Sequence, residues 1–128
     1  MGKARPRRSF LTTETFLTEI PRPGLPVRGS RSGAPIMALF DLLGRRWAMG
    51  ILWTVCEVGP LRFRQLQERC ESLSPSVLNV RLKELNAAGF VEKEEAGYVA
   101  TEFGRRVYEQ LVPLGITARE WAKQFEGE

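Results

Sequence analysis

Apolar residues recur at helical spacing through most of this chain and at strand spacing in one short stretch. In residues 63–89, FRQLQERCESLSPSVLNVRLKELNAAG, Leu66 and Cys70 share one side of a short helix predicted from Arg64 to about Cys70. A turn through Glu71, Ser72 and Leu73 leads to a second helix that opens at Ser74-Pro75 and is ended by Gly89. Serine as N-cap accepts an orphan backbone N–H, and proline at the first helical position lacks the N–H that would go unsatisfied there. Leu78, Leu82 and Leu85, at i, i+4 and i+7, form one stripe of a 3.6-residue helix and require a core. The opposite face carries Ser76, Asn79, Val80 and Lys83. It is small, polar and singly basic, as a helix entering a DNA major groove needs to be.

The flanking segments complete a pattern. Ile36, Leu39, Phe40 and Leu43 lie on one stripe of a first helix over residues 36–43, started by Pro35 and broken by Gly44. The following run, RRWAMGILWTVCEVGP, is apolar nearly all round, which predicts a central helix buried on most sides. Gly59-Pro60 closes it, and Leu61-Arg62-Phe63 is a short extended link. After Gly89, strands from Phe90 to Glu94 and from Tyr98 to Thr101 flank a turn through Glu95, Ala96 and Gly97, where glycine admits the positive φ of a tight turn. Thr101 is the N-cap of a last helix, with Glu102 in its first turn. Phe103, Val107, Leu111, Leu114, Ala118, Trp121 and Phe125 follow at spacings of 4, 4, 3, 4, 3 and 4, close to a heptad seam. Pro113 interrupts this seam, so two helices or one bent helix are expected over residues 102–126.

The architecture predicted is mainly α with a small β-hairpin wing: a winged helix-turn-helix with extra N- and C-terminal dimerisation helices. The seam is longer than a small domain needs to bury a single helix. A dimer interface is therefore expected from Ile36, Leu39, Phe40, Leu111, Leu114, Ala118, Trp121 and Phe125, against the simpler alternative of packing within one chain.

Composition bounds this reading. At 128 residues and 43% hydrophobic content, the chain supports one globular core. Residues 1–33, rich in Pro, Arg, Gly and Ser, read as a flexible basic arm, and residues 34–128 as the winged-helix DNA-binding and dimerisation domain. Within the arm, Phe10, Leu11, Phe16, Leu17 and Ile20 are spaced for a short amphipathic piece. The net charge of +4 is unevenly placed: the arm holds seven Lys/Arg against two Glu, and residues 34–128 hold twelve against thirteen acids. Basicity thus belongs to the arm, where Arg5, Arg7 and Arg8 are candidates for DNA backbone or minor-groove contacts. No membrane-spanning run or signal peptide is apparent, which points to a cytoplasmic protein. Cys56 and Cys70 lack metal-ligand spacing and read as reduced structural thiols.

Catalysis finds little support. The chain has no histidine, one aspartate (Asp41), no Gly-rich phosphate loop and no activated nucleophile, so neither an enzyme nor a cofactor or metal is expected. Double-stranded DNA is the expected partner. Arg64, Gln65, Ser74 and Arg81 are its candidate phosphate contacts, although Arg81 can instead lay its stem over Leu78 and Leu85. A competing reading is a winged helix used for protein association, favoured by Glu92, Glu94 and Glu95 on the wing against only Lys93, and by an outward Val80. A small-molecule effector between Trp47, Trp53 and Trp121 is a further option, with ordinary core packing as its alternative.

The runs APIMALFDLLGRRW, ILWTVCEVGPLRFRQLQ and LSPSVLNVRLKELNAAGFVEKE carry the pieces Leu-Gly-x-x-Trp, Gly-Pro-x-x-Phe and Ser-Pro-x-x-Leu-x-x-Arg-Leu. In that order they resemble the HxlR-type winged-helix transcriptional regulators, relatives of the MarR-like repressors. The resemblance implies a homodimer, formed by the terminal helices, that binds inverted-repeat DNA and represses by occlusion. The chain departs from the family pattern in three places. Ala34 stands where the family typically carries a cysteine that in several members senses oxidants or electrophiles. The wing is shorter and more acidic, and Val80 occupies a position that is commonly polar.

Overall fold

The computed structural model describes residues 20–71 and 73–127. Among these, the helices α1 (Pro35–Leu43), α2 (Ala48–Val58), α3 (Phe63–Arg69) and α4 (Pro75–Ala87) precede strands β1 (Val91–Glu94) and β2 (Gly97–Ala100), and α5 (Glu102–Lys123) follows. The result is a winged helix-turn-helix, mostly helical with one antiparallel hairpin. Its core gathers Ile51, Leu52 and Val55 of α2, Leu66 of α3, the α4 stripe Leu78, Leu82 and Leu85, and Val91 of β1, all buried. Full burial of each leucine contributes about 1.5–3 kcal/mol relative to exposure. The core is therefore what holds α4 in place with its polar face outward.

The α2 helix packs against α1, α3, α4, α5 and β2, but it is less enclosed than its composition predicts. Ala48, Ile51, Leu52 and Val55 are buried, whereas Met49 and Val58 are exposed. A protomer of this size has no further layer to cover that side. The helix also starts late, at Ala48, because Trp47 adopts a left-handed φ of 74° that ends the corner after α1.

The wing begins one residue later than expected, at Val91, and pairs Val91 with Ala100 through to Glu94 with Gly97. Gly97 thus closes the ladder instead of sitting in the turn. Its φ is +135°, and a Cβ there would come within 2.6 Å of the Leu61 carbonyl group. Leu61 is the reason: its N–H donates to the Tyr98 carbonyl (3.1 Å) and its carbonyl accepts the Tyr98 N–H (2.7 Å), so the link before α3 is held to β2 by an isolated antiparallel bridge.

The last helix runs unbroken through Pro113, so of the two expectations the chain keeps a single helix. Pro113 is exposed, and the hydrogen bond it removes is lost at the surface, where the cost of an unpaired carbonyl is low. Thr101 caps the helix by accepting the Gly104 N–H (3.1 Å), and its own hydroxyl donates to the Gly89 carbonyl (2.5 Å). Gly104 is the one buried residue of α5.

Residues 20–33, the described part of the expected flexible arm, are folded. Ile20 and Pro21 are buried, Gly24 N–H donates to the Gly33 carbonyl (3.0 Å), and Val27 and Ser30 exchange hydrogen bonds of 2.9 and 3.0 Å. The strap is tied to α1 where Arg28 N–H donates to the Asp41 carboxylate (3.0 Å) and Ser30 Oγ accepts the Ala34 N–H (3.0 Å). Arg5, Arg7 and Arg8, and the apolar residues Phe10, Leu11, Phe16 and Leu17, lie outside the described residues.

Candidate DNA-binding surface

The helix-turn-helix is set by local chemistry at both ends of its turn. Glu71 takes a left-handed φ of 56°, and Gln67 Nε2 donates across the turn to the Leu73 carbonyl (3.0 Å). Ser74 then caps α4, its Oγ accepting the Val77 N–H at 3.3 Å, with Pro75 following. Because the leucine stripe is inside, Ser76, Asn79, Val80 and Lys83 are left together on the exposed side of the helix.

The four phosphate candidates are placed differently from one another. Arg64 is exposed at the start of α3. Gln65 is exposed too, but its Oε1 accepts the Arg62 N–H (2.9 Å) and so helps start the helix. Ser74 is exposed and engaged as the cap. Arg81 is half-buried: its Nε donates to the Arg46 carbonyl (2.7 Å) and a terminal nitrogen donates to Glu84 Oε1 (3.3 Å).

Glu84 is a residue that sequence reasoning passed over. It is only 7% exposed, and its other oxygen accepts from Arg45 at 2.7 Å. A carboxylate this buried is tolerable only with charged donors on both oxygens. The Arg45–Glu84–Arg81 bridge locks the corner between α1 and α2 onto the middle of α4. The i, i+3 spacing of Arg81 and Glu84 was visible in the sequence; Arg45, 39 residues away, was not. Replacing Glu84 by Ala should destabilise the domain by about 1–3 kcal/mol, a range reduced because both guanidinium groups reach solvent. Urea unfolding checks this, and an unchanged midpoint would show the bridge to be incidental.

The wing places Glu92, Glu94 and Glu95 in solvent. Its one cation, Lys93, sits 5.6 Å from the centre of the Tyr98 ring. Both thiols are free. Burial pushes the Cys56 thiol above its ordinary pKa, with Arg105 opposing and Glu109 adding to the shift. Burial and Glu71 push Cys70 the same way. Neither is therefore an activated thiolate. The tryptophans keep separate company: Trp47 caps α2 beneath Arg46, Trp53 meets Tyr108 edge-on at 5.1 Å, and Trp121 meets Phe125 edge-on at 5.5 Å.

The expected dimer residues are mostly open in the protomer. Ile36, Phe40, Leu114, Trp121 and Phe125 are each more than half exposed, Ala118 is exposed, and Leu39 and Leu111 are half-buried. Phe103 and Ile116 join them as exposed apolar residues.

Comparison with known proteins decides the family, since residues 42–126 match the family model described as HxlR-like helix-turn-helix. The chain belongs to this family. Among its relatives is YybR of Bacillus subtilis, an HTH-type transcriptional regulator, 31% identical over 101 residues that span 73% of this chain and 77% of YybR. YodB, an HTH-type transcriptional regulator of the same organism, is 32% identical over 67% of this chain and 79% of its own length. The crystal structure of quinone-bound YodB superposes with a TM-score of 0.58 at 33% identity, covering 70% of this chain and 97% of YodB. A possible HxlR family transcriptional factor from Thermoplasma volcanium gives a TM-score of 0.58 at 27% identity, covering 66% of this chain and 82% of that one. The protein is thus an HxlR-type transcriptional regulator with a helix-turn-helix DNA-binding domain, and its relatives are regulators, a class that is not in general enzymatic. Among the described residues no helix is long and apolar enough to cross a membrane.

Proposed function

We propose that this HxlR-type regulator works in the cytoplasm as a homodimeric repressor, laying α4 of each protomer into the major groove of an inverted-repeat operator. The supporting observation is a pair of open surfaces on one small domain: the polar face of α4, and the apolar residues of α1 and α5. A two-fold pairing through the second surface would set the two α4 helices about one DNA turn apart, roughly 34 Å. Ser76, Asn79, Val80 and Lys83 are the base-reading residues of this proposal. Asn and Lys donate to purine edges, and the Val80 methyls suit a thymine methyl. Arg64 is the phosphate contact among the four candidates that is least committed to holding the fold. Repression follows from occupying a promoter site.

Asn79→Ala and Lys83→Ala are expected to relax base preference at their positions by about 1–3 kcal/mol per lost contact. Selection of binding sites from random duplexes measures this; an unaltered consensus would refute the assignment. The acidic wing favours one other reading, a protein-association module. Failure of the wild-type chain to select any duplex sequence would favour that reading.

A further inference from the structure

The surfaces on the two sides of α4 are electrostatically opposite. On a helical wheel, Asn86 falls on one side of the leucine stripe, and Arg81 and Glu84 on the other. Asn86 Nδ2 donates to the Val91 carbonyl (3.0 Å), which marks the first side as the wing side, with Glu92, Glu94 and Glu95 exposed beyond it. The second side abuts the α1–α2 corner through Arg81–Arg46 and Arg45–Glu84. Beyond the corner lies the strap: Val27 and Arg28 line the same cleft as Asp41 and Arg45. Arg28, Arg31 and Arg46 are exposed on this side. The ion pairs of Glu84 engage Arg45 and Arg81, and Arg28, Arg31 and Arg46 take part in neither.

We infer that the strap and the α1–α2 corner form the phosphate-gripping surface of this protein, with Arg28, Arg31 and Arg46 holding the DNA backbone on the side of α4 away from the wing. The inference deepens the DNA-binding reading and rests on it. An acidic wing raises the energy of a phosphate backbone beside it, so the attraction that positions α4 must come from elsewhere on the folded chain. The strap supplies it from a defined place. Arg28 N–H on the Asp41 carboxylate fixes the backbone that presents the Arg28 side chain, and Gly29, whose φ is +84° and whose missing Cβ leaves room for Met37, lets the turn close on α1. The Arg46 carbonyl is held by Arg81 itself, so this phosphate contact is indexed to the reading helix.

The test uses the full chain and its Arg28→Ala, Arg31→Ala and Arg46→Ala variants, singly and combined, with affinity measured against salt on a selected operator and on an arbitrary duplex. Each contact removed should lower the slope of log K against log salt by about 0.9 and weaken both duplexes alike. The selected consensus should stay the same. An unchanged slope with the consensus intact would overturn the phosphate surface and leave the operator reading standing. A wild-type chain that selects no consensus, yet loses slope in the variants on arbitrary duplex, would remove the operator reading and keep this surface. Thermal unfolding of the Arg28→Ala and Arg31→Ala variants should match wild type, because both side chains are exposed, and Arg46→Ala should cost at most the exposed contact of its guanidinium with the Trp47 ring.

Discussion

Replacing Leu114 and Trp121 together by Glu is expected to yield a folded monomer that has lost at least about 100-fold in operator affinity. Both side chains lie on α5 and are open in the protomer, 58% and 63% exposed. A glutamate at either position costs the isolated domain almost nothing, since it stays in water. In a two-fold interface each substitution removes a central apolar contact and introduces a charge that must be desolvated. A buried aromatic anchor of this kind is typically worth about 2–4 kcal/mol or more. Each 1.4 kcal/mol is about tenfold in the dimer constant, so two substitutions per protomer, counted twice by symmetry, take the dimer out of reach at micromolar concentration. Operator affinity falls with it, because one α4 then reads one half-site alone. Light scattering on the eluting species gives the mass, and titration of a fluorescent operator gives the affinity. A variant that stays dimeric, or a wild-type chain that is monomeric and binds equally well, would remove the dimer from the proposal.

The second large effect runs against helix propensity. Gly104→Ala lies in the first turns of α5, where alanine normally stabilises a helix by about 0.8–1 kcal/mol over glycine. Here it is expected to destabilise by a net of about 1–3 kcal/mol. A Cβ at Gly104 would run into the Phe90 carbonyl, a backbone group that cannot swing away, because the same carbonyl accepts the Thr101 N–H at 3.0 Å. Either α5 lifts off the base of the wing or the wing root shifts, and both open the core beside Val91. For a domain of this size, one kcal/mol is about 4–8 °C in the unfolding midpoint. Gly115→Ala is the internal control: its nearest neighbour is the Trp53 ring edge at 3.9 Å, an ordinary contact, so propensity should prevail and the midpoint should rise. Two glycines in one helix, substituted identically, are thus expected to move stability in opposite directions. Shifts of the same sign would contradict the packing argument.

What was legible in advance followed from short-range chemistry. Ser74-Pro75 and Thr101 announce their helices because a side-chain oxygen three residues upstream of a free N–H is a local device. The leucine stripe of α4 is equally local, and once Leu78, Leu82 and Leu85 must be inside, Ser76, Asn79, Val80 and Lys83 can only be outside. Pro113 leaves two helices or one bent helix open in the sequence, because its penalty depends on whether the lost hydrogen bond faces core or solvent, and spacing alone is silent on that. The strap shows the same dependence on tertiary contacts. Its Pro, Gly and Arg content reads as mobile chain, yet Ile20 and Pro21 are buried and Arg28 N–H reaches Asp41, 13 residues on.

The sequence by itself determined the order of elements, the two helix starts and the inward and outward faces of α4, since each depends on residues within a turn or two of one another. The tertiary structure alone decided the contacts that join distant parts of the chain. It seated Glu84 between Arg45 and Arg81, bridged Leu61 to Tyr98 beside Gly97, and pressed Gly104 onto the Phe90 backbone. It also folded the strap beside the α1–α2 corner. None of these carries a periodic signature, because a contact between residues tens of positions apart depends on how whole elements pack, and packing is set by the shape of the assembled core.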